Sequence, residues 1–285
     1  MERVLKRGEL PLDKNEKVAL SLSGGLDSVT LLHYLVDHVG PENVYAISFD
    51  YNQRHDYELM CAAKQVELAG LPENNYQVVD VSFMGDIAKN ISAMVRSDLK
   101  IPSVQQAIGD PQPASYMPFR NLIFSSLVAA FAESNGVNNV ALGIQRVDQL
   151  GYWDTTSEFV NTLQKVFDLN RKNRVRMITP FVEASKTDEI LLGHELGVNY
   201  KLTWTCYNGP HLEDGTSWDH VSQLSQDKLS KVAQANRWAK LGEAYACGVC
   251  ASCADRRAAF RAVGLESEDV NYLDTEVAAS IYETY

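Results

Sequence analysis

The sequence predicts an α/β protein: a doubly wound, mostly parallel sheet with helices on both faces, followed by a C-terminal zinc-binding segment with four cysteine ligands. Three observations carry that expectation. Short apolar runs alternate with longer amphipathic stretches through residues 1–200, a glycine-rich turn joins the first run directly to the first amphipathic stretch, and three of the five cysteines crowd into one tract near the C-terminus. Strands separated by helices pair in parallel, and ligands of such sheets sit beyond the carboxyl ends of the strands.

The elements follow in order. Val18 to Leu22 reads as a buried strand and Asp27 to Val39 as the helix returning from it. Val44 to Phe49 is a second strand, with Tyr57 to Leu68 as its helix, and Tyr76 to Asp80 a third. A helix over Leu122 to Glu133, a strand over Asn139 to Gly143, a helix over Glu158 to Phe167, a strand over Val175 to Thr179 and a helix over Lys186 to Leu196 complete the series. Ser185, with Asp188 three residues on, reads as the cap of that last helix. Two stretches interrupt the alternation. Residues 83–118 hold four Pro, two Gly and no clear period, so an irregular surface excursion covering the site is expected. Residues 201–285 form the zinc-binding region, with a helical insertion over 212–245 in which Val221, Leu224, Leu229 and Val232 fall at helical spacing.

Composition narrows the partners. No stretch approaches the ~20 apolar residues needed to cross a bilayer, so no membrane span is expected. Lys plus Arg number 26 against 37 Asp plus Glu, a formal charge of -11 that disfavours a nucleic-acid-binding face and favours a small-molecule substrate. The first residues lack the apolar core of a secretory signal, so the chain is expected in a reducing cytoplasm with its cysteines as thiols or metal ligands.

Cys247, Cys250 and Cys253 stand three apart, a spacing that turns sulfurs toward one tetrahedral centre. Free thiols or a redox pair would share that pattern. Cys206, flanked by the turn residues Tyr207 to Pro210, is the better fourth ligand; Cys61 lies in an apolar helical run and reads as a core residue. One structural Zn²⁺ per chain is therefore expected.

The first strand ends in Ser21-Leu22-Ser23-Gly24-Gly25-Leu26-Asp27-Ser28, where glycines allow close approach and hydroxyls and helix N–H groups face one place. That is an anion cradle, without the Gly-Lys-Ser/Thr ending of the common phosphate loop or the spacing of a dinucleotide fingerprint. An ordinary glycine turn would share its outline. The motif resembles the pyrophosphate loop of ATP pyrophosphatases, in which an acceptor oxygen attacks the α-phosphate of ATP.

Further motifs narrow the resemblance. Phe49-Asp50-Tyr51-Asn52-Gln53-Arg54-His55, Pro118-Phe119-Arg120-Asn121-Leu122, Leu202 to Gly209 and Cys247 to Cys253, taken with the loop and in this order, resemble the 7-cyano-7-deazaguanine synthase family of queuosine precursor biosynthesis. The resemblance runs from Val18 to Phe260. It implies an adenine nucleotide α-hydrolase-like fold over residues 1–200 and an ATP-dependent C–N ligase. In that chemistry 7-carboxy-7-deazaguanine is adenylated, ammonia attacks to give the amide, and a second ATP activates the amide to a nitrile. It also implies site residues. Ser23, Asp27, Ser28, Arg120 and Lys186 would be catalytic; Leu22, Ser23, Gly24, Gly25, Leu26, Asp27, Ser28, Val29, Thr30, Leu31, Leu32 and Arg54 would bind ATP, with Mg²⁺ on the phosphates. Gln53, His55, Asn121, Gly143, Asp148, Gly151, Tyr152, Asp154, Glu158 and Trp204 would hold the deazaguanine. Arg54, Arg120 and Lys186 each also read as solvated surface charges. The expected partners are the small-molecule substrates and a second copy of the chain in a homodimer. With no glutaminase signature and no Cys at position 2, ammonia is expected from solution or a partner.

The sequence departs from the family pattern at two places. Gln145, Leu150 and Trp153 stand where Asn, Ser and Pro are usual, and a long link separates Cys206 from Cys247 where the family has a short one. The first departure keeps open an altered deazaguanine acceptor, a stop at the amide, or transfer of the base to another nucleophile. A tRNA-modifying pyrophosphate-loop enzyme fits the acidic charge poorly. A non-catalytic zinc module needs no pyrophosphate cradle.

Overall fold

Leu20 of the first strand is buried with one layer of helices and Ala19 with another. Burial on both sides requires a continuous apolar run in place of an alternating one. The computed structural model describes residues 5–95, 98–107, 110, 112–145, 152–213, 215 and 241–274. Within them β1 (Val18–Ser21), β2 (Val44–Asp50), β3 (Tyr76–Asp80), β4 (Asn139–Ala141) and β5 (Arg176–Ile178) form one sheet in the order β3-β2-β1-β4-β5, and every pairing is parallel. The helices are α1 (Leu26–Val39), α2 (Tyr57–Ala69), α3 (Phe83–Ala88), α4 (Val104–Ala107), α5 (Arg120–Ser134), α6 (Ser157–Phe167), α7 (Lys186–Glu195) and α8 (Ala251–Val263). A short parallel pair, β6 (Tyr245–Ala246) and β7 (Asn271–Tyr272), lies beside the cysteines.

One face of the sheet packs Leu20, Val44 and Ala46 against Leu31, Leu32 and Leu35 of α1, Ile190 and Leu192 of α7 and Phe260 of α8. The other packs Ala19, Ile47, Phe49 and Val140 against Val128 and Ala132 of α5 and Met84 of α3. The chain winds outward from β1 through β2 to β3, then crosses back past β1 to β4. The direction therefore reverses at the β1/β4 boundary, where a crevice opens beyond the carboxyl ends of the strands. Ser185 caps α7 as expected: its side chain accepts from the Asp188 N–H at 3.2 Å, and Asp188 accepts from the Ser185 N–H at 3.1 Å.

The excursion over 83–118 is not wholly irregular, because it contains α3 and α4. Met84 and Ala88 are buried four residues apart on one face of α3, a repeat too short to stand out among the prolines and glycines around it. The C-terminal segment is fused to the sheet domain. Arg256 of α8 is buried, donating from Nε to Asp269 (2.6 Å), from Nη1 to Thr203 Oγ1 (2.9 Å) and from Nη2 to the Tyr200 carbonyl (2.9 Å). The helix expected between Trp218 and Lys240, and the end of the acidic tail, lie outside the described residues. No helix among the described residues is long and apolar enough to cross a membrane.

Candidate active site

The crevice is lined at its floor by Ser21, Leu22, Ser23, Gly25, Asp27 and Ser28. Gly24 has φ 90°, and a Cβ there would stand 2.0 Å from the Glu58 carbonyl oxygen, so the loop closes against α2 only with glycine. Gly143 makes a milder close approach after β4, since its Cβ would lie 3.2 Å from the Ser28 nitrogen. Ser28 Oγ accepts from the N–H groups of Ser23 (3.2 Å) and Gly24 (3.3 Å), and Ser23 Oγ accepts from Gly25 N–H (3.2 Å). These donors converge at the N-terminus of α1, and a phosphate oxygen can take the place of either hydroxyl as their acceptor. The donor set therefore fits a pyrophosphate.

Lys186, the first residue of α7, crosses to this loop. Its Nζ lies 2.8 Å from Asp27 Oδ1 and 3.5 Å from Asp255 Oδ2 on α8. Burial pushes the Asp27 carboxyl up, but the Lys186 charge and its hydrogen bond, with Glu189 alongside, outweigh it and hold Asp27 below the usual carboxylate range. At Asp255 burial wins over Lys186 and the carboxyl is raised. Glu189, one turn along α7, is fully buried beside Asp27. One ammonium among three carboxyl groups is an oxygen-rich, hard donor set of the kind Mg²⁺ takes together with phosphate oxygens.

The opposite wall is built by the end of β2, the start of α2 and the start of α5. Tyr51, His55, Glu58, Arg120 and Asn121 line it. Burial, reinforced by the Arg120 charge, pushes His55 down to about 3, and burial pushes Glu58 up to about 8 against the opposing pull of Arg120 and Gln53. Arg120 lies among Tyr51, Tyr207, Tyr152 and Asp154 and is a fixed positive charge beside the cleft. The residue before it, Phe119, has φ 55°, a left-handed conformation that costs about 1 kcal/mol or more for a non-glycine residue and marks this helix start as strained.

On the side expected to hold the base, Tyr152, Asn121, Gly143 and Trp204 line the cleft. The Tyr152 hydroxyl pairs with Ser115 Oγ at 3.1 Å, and its ring stacks on Tyr116 at 6.2 Å between centroids. Asp154 is buried and serves α5, accepting from the Asn121 N–H at 3.1 Å and from Asn121 Nδ2 at its carbonyl at 3.2 Å. Glu158 is exposed in the first turn of α6 and does not line the cleft. Asp148 and Gly151 lie outside the described residues.

Several expected ATP contacts face elsewhere. Leu26, Val29, Leu31 and Leu32 are core side chains, and Thr30 Oγ1 donates to the Leu26 carbonyl at 2.9 Å beside the Tyr200 hydroxyl. Arg54 donates to the carbonyls of Val95 (3.1 Å) and Leu99 (2.6 Å), holding the excursion against the β2 end. Gln53 is likewise turned inward, donating to the Phe49 carbonyl and to Glu58 Oε1, each at 3.1 Å, and accepting from the Tyr51 N–H at 2.8 Å.

The sulfurs of Cys206, Cys247, Cys250 and Cys253 are all buried and lie within 4.8 Å of one another. A tetrahedral metal with bonds of about 2.3 Å sets its sulfurs about 3.8 Å apart, and the Cys247 and Cys253 sulfurs are 3.9 Å apart. The set therefore fits one four-coordinate metal. Hydrogen bonds from the other three thiols hold Cys247 far below the ordinary thiol value. Cys61 stays apart as a buried residue of α2.

Glu58, Tyr51, Thr205, Tyr207, Ser252 and Asp255 are site residues that the sequence reading did not single out. For Glu58 a signal existed: it shares the buried face of α2 with Cys61, Ala62 and Gln65 at helical spacing, which marks a carboxyl turned inward.

A model of the family described as queuosine biosynthesis protein QueC matches residues 17–264. A 7-cyano-7-deazaguanine synthase of Clostridium kluyveri is 33% identical over 255 residues, covering 87% of this chain and 95% of its own. The protein of the same name from Persephonella marina is 32% identical over 261 residues, covering 90% and 96%. Among solved structures, the U34-tRNA thiolase NcsA of Methanococcus maripaludis with its [4Fe-4S] cluster is similar at a TM-score of 0.42 and 20% identity, over 81% of this chain and 70% of that one.

Proposed function

The chain belongs to the queuosine biosynthesis protein QueC family, and from that premise we propose that it is an ATP-dependent C–N ligase converting 7-carboxy-7-deazaguanine and ammonia into 7-cyano-7-deazaguanine. A carboxylate is a poor electrophile because its leaving group would be oxide. Attack by a carboxylate oxygen on the α-phosphate of ATP expels pyrophosphate and makes that oxygen part of AMP, a good leaving group. Ammonia then adds at the carbon and AMP departs, leaving the amide. The amide oxygen attacks a second ATP in the same way, and loss of AMP with the remaining nitrogen protons gives the nitrile.

The residues divide this work. Ser23, Gly24, Gly25 and Ser28 cradle the departing pyrophosphate with N–H and O–H donors at the start of α1. Lys186 keeps Asp27 ionised and sets a positive charge beside the phosphates. Mg²⁺, held by Asp27 and phosphate oxygens, would neutralise charge on the leaving pyrophosphate. Arg120, at the opposite wall, faces the acyl phosphate as negative charge builds on it, and Tyr152 offers the heterocycle an aromatic face. Zn²⁺ in the four thiolates would be structural, since four sulfurs leave no open position.

The observation that carries this reading is the Asp27–Lys186 contact at 2.8 Å beside the glycine loop, at the reversal point of the sheet. Its test is incubation of the purified protein with ATP, Mg²⁺, ammonium and 7-carboxy-7-deazaguanine, with products identified by mass spectrometry. AMP and the nitrile are expected. Absence of AMP together with absence of amide and nitrile overturns the reading, and amide alone moves the end point one step back.

A further inference from the structure

Making a nitrile from ammonia removes every proton from its nitrogen, so the cleft needs a group to accept them. The wall where β2 meets α2 holds a buried ring nitrogen without a hydrogen-bond partner among the described residues. His55 is 3% exposed and lines the cleft. Its Nε2 lies 3.3 Å from the Tyr51 hydroxyl and 3.6 Å from Glu58 Oε2, while its Nδ1 has no hydrogen-bond partner among the described residues. The other Glu58 oxygen accepts from Gln53 Nε2 at 3.1 Å, which fixes the carboxyl behind the ring. A neutral imidazole whose Nε2–H points at Glu58 keeps its lone pair on Nδ1. That atom has almost no open surface, so of the reactants only one as small as ammonia can reach it.

Resting on the reaction proposed above, we propose that His55 Nδ1 accepts the N–H protons of the ammonia nucleophile, and that Glu58 is the positioning residue that holds the ring in the accepting tautomer. The nitrogen lone pair forms the bond to the acyl carbon as the carbonyl π pair moves onto oxygen. A proton passes from nitrogen to Nδ1 while its bonding pair stays on nitrogen. The oxygen pair then returns to carbon and the C–O bond pair leaves with AMP. The charge on the imidazolium is balanced by Glu58, and the proton is released to water before the next cycle.

The groups facing this pair are Tyr51, Gln53, Asp56, Cys61, Arg120 and the Tyr207 ring, whose centroid is 6.2 Å from that of His55. Burial leaves Glu58 uncharged until about pH 8, and while it is uncharged burial and Arg120 hold His55 far below the ordinary imidazole value, so the ring becomes an effective base only once the Glu58 charge stands beside it. The competent form, ionised Glu58 beside neutral His55, therefore grows in the alkaline range in which ammonia also loses its proton.

The test compares wild type with His55→Gln and with the near-isosteric Glu58→Gln, each shown to be folded by thermal melting. Two rates are measured: carboxylate-dependent exchange of labelled pyrophosphate into ATP without ammonia, and product formation per free ammonia from about pH 6.5 to about pH 9.5. His55→Gln is expected to lower product formation about 100-fold more than exchange. Glu58→Gln is expected to flatten the rise near pH 8. A parallel fall of both rates in both variants, or an unchanged rise in Glu58→Gln, overturns the assignment. A wild-type protein without exchange overturns the reaction reading and this assignment with it.

Discussion

The backbone N–H of Trp204 donates to the carbonyl of Gly24 at 2.9 Å. This bond ties the stretch of chain that carries Cys206, the first of the four clustered cysteines, to the glycine loop. Around it, Trp204 Nε1 donates to the Cys206 carbonyl at 3.1 Å, Ser252 Oγ to the Thr205 carbonyl at 2.9 Å, and Asp255 reaches Lys186. The residues flanking the thiol cluster and the glycine loop therefore line the same cleft, and disturbing the cluster is expected to loosen the loop.

Metal analysis of the wild-type chain is expected to find about one zinc per chain, and Cys206→Ser to lose it with several kcal/mol of stability. Because Trp204 clamps Gly24, the same variant is expected to bind ATP more weakly. Elemental analysis, thermal melting and nucleotide titration check the three parts. A Cys206→Ser protein with full zinc would contradict the ligand set.

Gly24→Ala places a methyl group 2.0 Å from the backbone oxygen of Glu58, at a φ of 90°. Neither atom belongs to a flexible side chain, so the loop or α2 must move. A loss of about 3 kcal/mol or more is expected in denaturant unfolding, with AMP formation falling in the protein that remains folded.

Lys186→Met removes the charge that holds Asp27 ionised. A carboxyl lowered in the folded state contributes stability above its ordinary range near 3.8, and that contribution is lost as pH falls through the folded value. The variant is therefore expected to lose about 2 kcal/mol at neutral pH, a figure reduced for the partial exposure of Asp27, and the difference from wild type is expected to shrink steadily as pH falls below about 4. Denaturant unfolding across that range checks this, alongside a drop of about 100-fold in kcat/KM for ATP.

Glu58 has the opposite sign. Burial raises it from 4.5 to about 8 in the folded chain, so the native state holds its proton after the unfolded state has lost it. Wild type should lose stability as pH rises through that window, and Glu58→Gln should not. The two are expected to coincide at about pH 4 and to differ by about 2 kcal/mol or more in favour of the variant at about pH 8.5. Equal pH dependence of the two would contradict a buried, neutral Glu58.

The sheet was readable because β1, β2 and β4 are buried on both faces and appear as short continuous apolar runs. Ends were less so: Val175 and Thr179 flank β5 without joining its ladder. The loop donors and the cysteine triplet are local in sequence, so their convergence could be read from spacing. What spacing does not carry is direction. Gln53, Arg54 and His55 are consecutive, yet only His55 lines the cleft, because the other two spend their donors on Glu58 and on backbone carbonyls of β2 and the excursion. Asp255 reaches Lys186 only because α8 packs on α7, a tertiary contact with no local mark.

In the proposed reaction both carboxyl oxygens of the substrate leave on AMP. Oxygen-18 labelling of the carboxylate tests it directly. With ATP, Mg²⁺ and ammonium, each AMP released during conversion to the nitrile is expected to carry one labelled oxygen on its phosphate, and inorganic phosphate none. Label in inorganic phosphate, or AMP without label, would contradict the account.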